Sequence, residues 1–145
     1  MNKPNYVMQY GVPIPNTPGT LGKFTQVLHK EGINISGIMI ESVGDVSFVR
    51  FTVDKETGLK KLLEHAGYQV FETPVFCLEL PNRPGELSRL AKYLGDEDIN
   101  IRHIWGLADG DHRARIAVVL DQPEKARSLL VRYTEKLEKP EYAVR

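Results

Sequence analysis

The stretch that decides the fold is Pro15-Asn16-Thr17-Pro18-Gly19-Thr20-Leu21, which recurs 66 residues later as Pro81-Asn82-Arg83-Pro84-Gly85-Glu86-Leu87. The same offset relates Ile33-Asn34-Ile35 to Ile99-Asn100-Ile101. A register that is held over this distance indicates an internal repeat. We therefore predict two domains of similar size, residues 1–72 and 73–145.

Each copy is predicted to fold as strand, helix, strand, strand, helix, strand. In the first copy, Leu21, Phe24 and Leu28 have the spacing of one buried helical stripe, and Gly44-Asp45 separates two strand-like runs as in a hairpin. This order predicts an α+β fold of two ferredoxin-like βαββαβ units with antiparallel sheets. Pairing of two sheet edges would join the units side by side into one eight-stranded sheet. The closing strand of the second copy would be the short segment Tyr142 to Arg145.

Charge and composition argue against several classes of partner. The 19 basic and 19 acidic side chains balance, and residues 1–72 are separately neutral with 7 of each. Neither half has the basic patch that nucleic acids or anionic membranes attract. No apolar run is long enough to span a membrane and no signal sequence is evident, so we expect a cytoplasmic protein.

Cys77 is the only cysteine of the sequence. A disulfide within the chain and a zinc site of several cysteines are therefore excluded. Its apolar neighbours favour a buried strand thiol over a catalytic nucleophile.

The repeated turn has the chemistry of an anion site. Each copy places a proline near the first helical position and then a glycine, which leaves free N–H groups at a helix start that carries partial positive charge. Such a terminus binds carboxylate or phosphate. An asparagine amide both donates and accepts, which suits an ammonium beside a carboxylate, as in an amino acid. The alternative is that Asn-x-Pro-Gly is only a turn and a helix cap.

With these motifs, Asn16 to Leu21 and Asn82 to Leu87 followed by Gly-Ile-Asn-Ile or Asp-Ile-Asn-Ile, the chain resembles tandem ACT-domain proteins from about Tyr6 to about Val144. The resemblance implies a free-standing regulatory sensor without a cofactor or metal. Its ligand would be a small molecule, an amino acid, bound where the first loop of one domain meets the second strand of its neighbour. The apolar side chains around each turn favour leucine, isoleucine, valine or an aromatic amino acid. The protein partner would be a second copy of the chain, in a homodimer, or an enzyme that the chain regulates.

The ligand-binding residues that the resemblance implies are Asn16, Thr17, Pro18, Gly19, Thr20, Leu21, Asn34, Ile35, Ser36, Ile38, Asn82, Arg83, Pro84, Gly85, Glu86, Leu87, Asn100, Ile101, Arg102 and Ile104. The copies differ within this set, since Arg83 replaces Thr17. They also differ outside it, since Asp98 stands where the first copy has Gly32. The two sites could therefore differ in ligand or in occupancy.

Two alternatives remain open. The run Ser47-Phe48-Val49-Arg50-Phe51 imitates part of an RNA-binding ferredoxin-like module, although Phe48 and Phe51 fall on opposite faces of a strand and the second copy lacks matching aromatic residues. A small enzyme could instead use His103, Asp109, Asp111 and His112 around one hairpin. Asp-Gly-Asp is ordinary turn chemistry, however, and we predict no catalytic residue.

Overall fold

The computed structural model describes residues 3–55, 58–108, 110 and 112–139. Its elements in chain order are β1 (Asn5–Pro15), α1 (Thr20–Lys30), β2 (Ile35–Val43), β3 (Val46–Val53), α2 (Leu59–His65), β4 (Phe71–Pro81), α3 (Glu86–Asp96), β5 (Ile101–Ala108), β6 (Arg113–Leu120) and α4 (Pro123–Leu137). The order strand, helix, strand, strand, helix therefore occurs twice. The predicted α+β class and the two βαββαβ-like units are confirmed.

The described strands form one antiparallel sheet of six strands in the order β2-β3-β1-β4-β6-β5. The prediction of an eight-stranded sheet is wrong. One reason is that the last strand of the first copy and the first strand of the second copy, predicted as two strands, form the single 11-residue strand β4. The other predicted closing strand, Tyr142 to Arg145, lies outside the described residues.

The chain divides into two compact units, of which one is continuous and the other combines two separate segments. One unit is the continuous segment Met8–Thr73, and the other combines the start of the chain up to Val7 with the segment from Pro74 onward. The Tyr6 ring lies 5.1 Å from the Phe76 ring, and the Arg127 guanidinium lies 4.6 Å above Tyr6. The first residues of β1 thus pack with the second repeat.

Each unit has its own apolar core between helices and sheet. In the unit Met8–Thr73, the Phe24 ring of α1 lies 5.5 Å from Phe51 of β3 and 5.2 Å from Tyr68. The other core is formed by buried residues of β4, α3, β6 and α4, which include Phe76, Leu90, Leu94, Val118 and Leu130. Phe24 and Leu28 of the predicted stripe are buried in α1, as Leu90 and Leu94 are in α3. Leu21, predicted to belong to the same buried stripe, is instead 36% exposed, because it lies in the first turn of the helix.

Cys77 lies half-buried in β4, next to a small cluster formed by Val75, Ala117 and Val119. Burial raises the pKa of the Cys77 thiol. Because the thiolate is the reactive form, this environment disfavours a nucleophilic role. Across the described part of the chain, no helix has the length and apolar character needed to cross a membrane.

Candidate functional site

The first repeated loop is fixed to the hairpin between β2 and β3. The backbone N–H of Asn16 donates to Asp45 O at 2.8 Å, and its side-chain Nδ2 donates to Gly44 O at 3.0 Å. We expected the Asn16 amide both to donate to a ligand and to accept from it. One of its two N–H donors is instead used within the protein, and the oxygen Oδ1 can accept from a ligand ammonium.

The second loop repeats this arrangement with the β5–β6 hairpin. Asn82 donates from its backbone N–H to His112 O at 2.9 Å and from Nδ2 to Gly110 O at 3.1 Å. Each asparagine therefore ties its loop to the hairpin of its own repeat. These bonds give a structural reason for the asparagine to occur in both copies, whether or not the loops bind a ligand.

Helix α1 begins with unpaired donors. Gly19 precedes it with φ +88°, a left-handed conformation that glycine adopts without strain, and the first helical bond runs from Lys23 N–H to Gly19 O at 3.0 Å. Among the described residues no acceptor faces the backbone N–H groups of Leu21 and Gly22. These donors and the partial positive charge of the helix start make a place suited to a carboxylate. In α3 the equivalent residues are Gly85, Leu87 and Ser88.

An open groove of about 590 Å³ lies between α1 and the start of β2. It is lined by Gly22, Thr25, Gln26, Leu28, His29, Ile33, Asn34 and Ile35. Gly22 belongs both to the groove and to the start of α1, so an anionic group bound at the helix start would have the groove beside it. The structure thus brings Asn34 and Ile35, predicted from the resemblance, next to one side of α1.

Sequence reasoning missed the helical side of this groove. Thr25 and Gln26 lie three and four residues after Gly22, and His29 lies four and three residues after them, so the four residues share one helix face beside the buried stripe. That polar spacing was available in the sequence.

Two other predicted residues of β2 are placed away from the groove lining. The Ser36 hydroxyl lies 2.9 Å from the Thr52 hydroxyl in a hydrogen bond across the sheet. Ile38 pairs with Phe51 in the strand register and is 45% exposed. Because directly paired residues share a face of the sheet, Ile38 extends the apolar core face out to the edge of the sheet.

The second loop contains a buried carboxylate that the first loop lacks. Glu86, the first residue of α3, is only 2% exposed. Its Oε1 accepts hydrogen bonds from Arg83 Nε at 2.5 Å and from Arg89 Nη1 at 2.8 Å. Its Oε2 is buried and has no hydrogen-bond partner among the described residues. Burial and the negative charge of Glu86 raise the pKa of Tyr133 to about 12, although the positive charge of Arg89 acts in the opposite direction.

Thr20 stands at the corresponding position of the first loop. Its hydroxyl donates within the loop, to the carbonyl oxygens of Pro15 and Thr17 at 2.7 and 2.8 Å. The exchange of Thr17 for Arg83 is therefore linked to the exchange of Thr20 for Glu86, since the two new side chains bond to each other.

The second difference noted in the sequence, Asp98 for Gly32, has another explanation. Both residues are left-handed, with φ values of +57° and +65°, and both follow the end of the first helix of their repeat. The Asp98 carbonyl accepts a bond from Gln122 Nε2 at 2.7 Å. This exchange therefore preserves a helix end, after which the exposed Asn100 donates its backbone N–H to Asp121 Oδ1 at 3.0 Å.

The remaining predicted residues of the second repeat lie on β5, an outer strand of the sheet. Ile101 packs against the core, Arg102 is exposed, and Ile104 is 37% exposed. They occupy the same strand positions as the first-repeat residues at an offset of 66. The second strand of each repeat therefore presents its predicted residues along a sheet edge.

The two histidines of the enzyme alternative are far apart along their hairpin. His103 pairs with Val119, whereas the last ladder pair before the turn is Ala108 with Ala114. Five residues of strand span about 16 Å, and His112 lies beyond that end. Asp109 and Asp111 fall outside the described residues. Within the described residues, no group of three or more acidic, histidine or cysteine side chains could hold a metal ion.

Only one of the two aromatic rings that the RNA-binding alternative requires lies outside the core. Phe51 is fully buried in the core. Phe48 lies on the opposite face, where its ring contacts Phe71 at 5.9 Å and the Arg50 guanidinium at 4.5 Å. A pair of stacking rings from this strand is therefore not available to bases.

The comparison with protein-family models identifies the family of the chain. The profile described as the ACT domain pair matches residues 5–140. Among solved structures, protein BT0572 from Bacteroides thetaiotaomicron is similar, with 25% identity, coverage of 91% of each chain and a TM-score of 0.82. The regulatory subunit of aspartate kinase from Thermus flavus has 18% identity, 96% coverage of each chain and a TM-score of 0.68. The corresponding subunit from Thermus thermophilus, in a ligand-free form, has 20% identity, coverage of 86% of this chain and 90% of that one, and a TM-score of 0.60. The search of curated proteins gives no match.

Proposed function

Because the chain belongs to the ACT domain-pair family, we propose that it is a regulatory module that binds a free amino acid and changes the activity of a partner enzyme. Each repeat, residues 1–72 and 73–145, contributes one of the predicted loops and one second strand. The observation that carries the proposal is the start of α1, where the unpaired N–H groups of Leu21 and Gly22 adjoin the groove that reaches Asn34.

The chemistry of the ligand follows from the lining of this site. The helix start would hold the α-carboxylate, and the free oxygen of Asn16 or Asn34 would accept a bond from the α-ammonium. Ile33 and Ile35 give the groove an apolar side that would receive an uncharged side chain. A branched aliphatic or aromatic amino acid meets all of these conditions.

The outer edge of the sheet supports self-association as the route of regulation. Ile38 and Ile40 of β2 are each 45% exposed, and Val43 is 77% exposed. An exposed apolar edge strand is a template for pairing with a second chain, and a homodimer would cover it. A ligand bound beside β2 would then act through its different affinities for the free and the paired states.

The test is a screen of the twenty amino acids by thermal shift, followed by calorimetry on those that stabilise the protein. Ligand binding to the folded state alone raises the free energy of unfolding, by about 2.7 kcal/mol at a concentration of 100 times Kd. We expect stabilisation by one or a few uncharged amino acids and its loss in Asn34→Ala. The absence of any stabilisation at millimolar concentrations would rule out the amino-acid ligand.

A further inference from the structure

We propose that a second copy of this chain packs against the open face of the unit Met8–Thr73, which is the side of its sheet turned away from α1 and α2. The open face consists of Pro13, Val43, Val46, Phe48 and Phe71. It is a different surface from the outer edge of β2, which the proposed homodimer covers. The contact joins the same face of both copies about a two-fold axis.

The register of the strands places these side chains together. Pro13 is the ladder partner of Phe48, and Val43 is that of Val46. Val49, the residue after Phe48, is fully buried in the core that α1 and α2 cover. Because successive side chains of a strand alternate between its two faces, Val46 and Phe48 point away from the helices.

The open face is apolar and exposed. Val43 is 77% exposed, Val46 49% and Phe71 47%. Phe48 is half-buried because its ring lies 5.9 Å from that of Phe71 and over Gly11, where an added Cβ would come within 2.7 Å of Phe48 Cε1. A contiguous apolar patch of this kind on a folded protein marks a surface that binds another molecule.

The second repeat supplies an internal comparison at the same positions of the same fold. Glu79 is the ladder partner of Arg115 there, as Pro13 is of Phe48 in the first repeat. Arg113, at the position that corresponds to valine 46, donates from Nη1 to Glu79 Oε2 at 2.7 Å. Both arginines are exposed. The second repeat thus carries ion-paired charges on a face that meets water, whereas the first repeat has proline, valine and phenylalanine, which indicates that its face is covered by protein.

Two opposite charges beside the open face make it complementary to itself. The Arg50 guanidinium lies 4.5 Å above the Phe48 ring, and its Nη1 is 3.7 Å from Glu41 Oε2, which is too far for a hydrogen bond. The side chains of Arg50 and Glu41 are 25% and 61% exposed. In a two-fold contact, Arg50 of each copy meets Glu41 of the other, and the two can form charge-assisted hydrogen bonds.

The charge balance favours a second copy over an acidic or basic partner. One cation and one anion leave the open face without net charge, and the whole chain has 19 basic and 19 acidic side chains. Copies without net charge do not repel each other as they approach, and a strongly charged partner would gain nothing from electrostatic steering. Two sheet faces can pack about 10 Å apart with their strands about 30° from parallel, as in a β-sandwich.

The first test is sedimentation velocity of the full chain over concentrations up to the millimolar range. Val43→Arg with Val46→Arg introduces charge on the open face, as Arg113 does in the second repeat, and should lower the number of chains in each particle. Ala66→Arg with Ser128→Arg adds the same charge at exposed positions at the end of α2 and in α4, and should sediment like the wild type. Circular dichroism checks the folding of each variant, and Val43→Arg alone serves if the pair does not fold.

An exchange of charge between copies is the second measurement. Arg50→Glu gives a copy two carboxylates beside the open face, and Glu41→Arg gives a copy two guanidinium groups. Each variant alone should associate more weakly than the wild type, because like charges meet across the two-fold axis. An equimolar mixture of the two variants should associate again, because each copy then offers the charge that the other lacks.

Three results would overturn the inference. A wild type that is monomeric at every concentration would leave the open face to a different protein, and a mixture that stays dissociated would refute the pairing of Arg50 with Glu41 between copies. The third is an open-face variant that associates like the wild type while Ile38→Lys with Ile40→Lys associates less, which would leave the proposed contact through the edge of β2 in place. The opposite result, loss in the open-face variant alone, would support the inference and contradict the edge contact.

Discussion

Replacement of Asn16 by alanine separates an anchoring role from a role in ligand contact. The change removes the bond from Nδ2 to Gly44 O at 3.0 Å but leaves the backbone bond from Asn16 to Asp45. A single hydrogen bond of this kind contributes about 0.5–1.5 kcal/mol, and water can reach the exposed Gly44 carbonyl after the change. We expect a loss of about 1 kcal/mol, which lowers the melting temperature by roughly 4 °C in a chain of this size.

Two further variants define the comparison. Asn16→Asp keeps the size of the side chain but replaces the donor with a negative charge near Gly44 O, so it should cost more than Asn16→Ala. Asn34 is exposed and lines the groove, and no side-chain bond of Asn34 is found among the described residues. Asn34→Ala should therefore change stability by less than about 0.5 kcal/mol.

The assay is urea or thermal unfolding followed by circular dichroism, with and without an amino acid that stabilises the wild type. Asn82→Ala repeats the test in the second repeat, where the corresponding bond to Gly110 O is 3.1 Å long. If Asn16→Ala unfolds at the wild-type temperature and yet loses ligand stabilisation, the asparagine is a ligand contact and the anchoring argument is wrong.

Three other predictions follow from backbone conformation, packing and ionisation. Gly19→Ala should lower the free energy of unfolding by about 1–2 kcal/mol because of its φ of +88°, since no atom lies within 4 Å of an added Cβ. Gly22→Ala lies in the ordinary helical region and should instead raise this free energy by up to about 1 kcal/mol. Equal changes in the unfolding of both variants would contradict this reasoning. Phe24→Ala should cost about 3–5 kcal/mol in urea unfolding, whereas Leu21→Ala at a 36% exposed position should be nearly neutral. The pKa of Tyr133 is raised to about 12 from an ordinary 10.0, so the contribution of the protonated phenol to stability is complete below pH 10.0 and is lost as the pH rises towards 12. Tyr133→Phe should therefore lose stability less steeply than the wild type over that range. Parallel profiles of unfolding free energy against pH for the two proteins would show that the phenol is not responsible.

The sequence predicted the repeated units because the evidence for them is local. Turn residues, helical spacing and a constant offset identify α1 and α3, and the glycines at 19 and 85 mark their starts correctly. The number of strands could not be predicted in the same way. It depends on β4, where the predicted last strand of the first repeat and the predicted first strand of the second form one strand through Pro74. The absence of a linker between them is visible in the sequence, whereas the shared strand is not, because Pro74 lacks the N–H of a ladder residue.

The candidate site was predicted in part for a related reason. The loop and Asn34 lie in repeated motifs, whereas the α1 side of the groove is visible only once helix and strand lie together. Glu86 had an unused signal, because Arg83, Glu86 and Arg89 follow one another at three-residue steps, the spacing of ion pairs on a helix. Its burial could not be read from that spacing, since a charged residue after Pro-Gly is ordinarily on the surface.

The unequal division of the chain has a consequence for its synthesis on the ribosome. The unit Met8–Thr73 is continuous, so its core can form as soon as that segment has emerged. The other unit brings Tyr6, made before that segment, together with Phe76 and Arg127, made after it. Tyr6 therefore has to wait for its partners until the whole segment Met8–Thr73 has been translated.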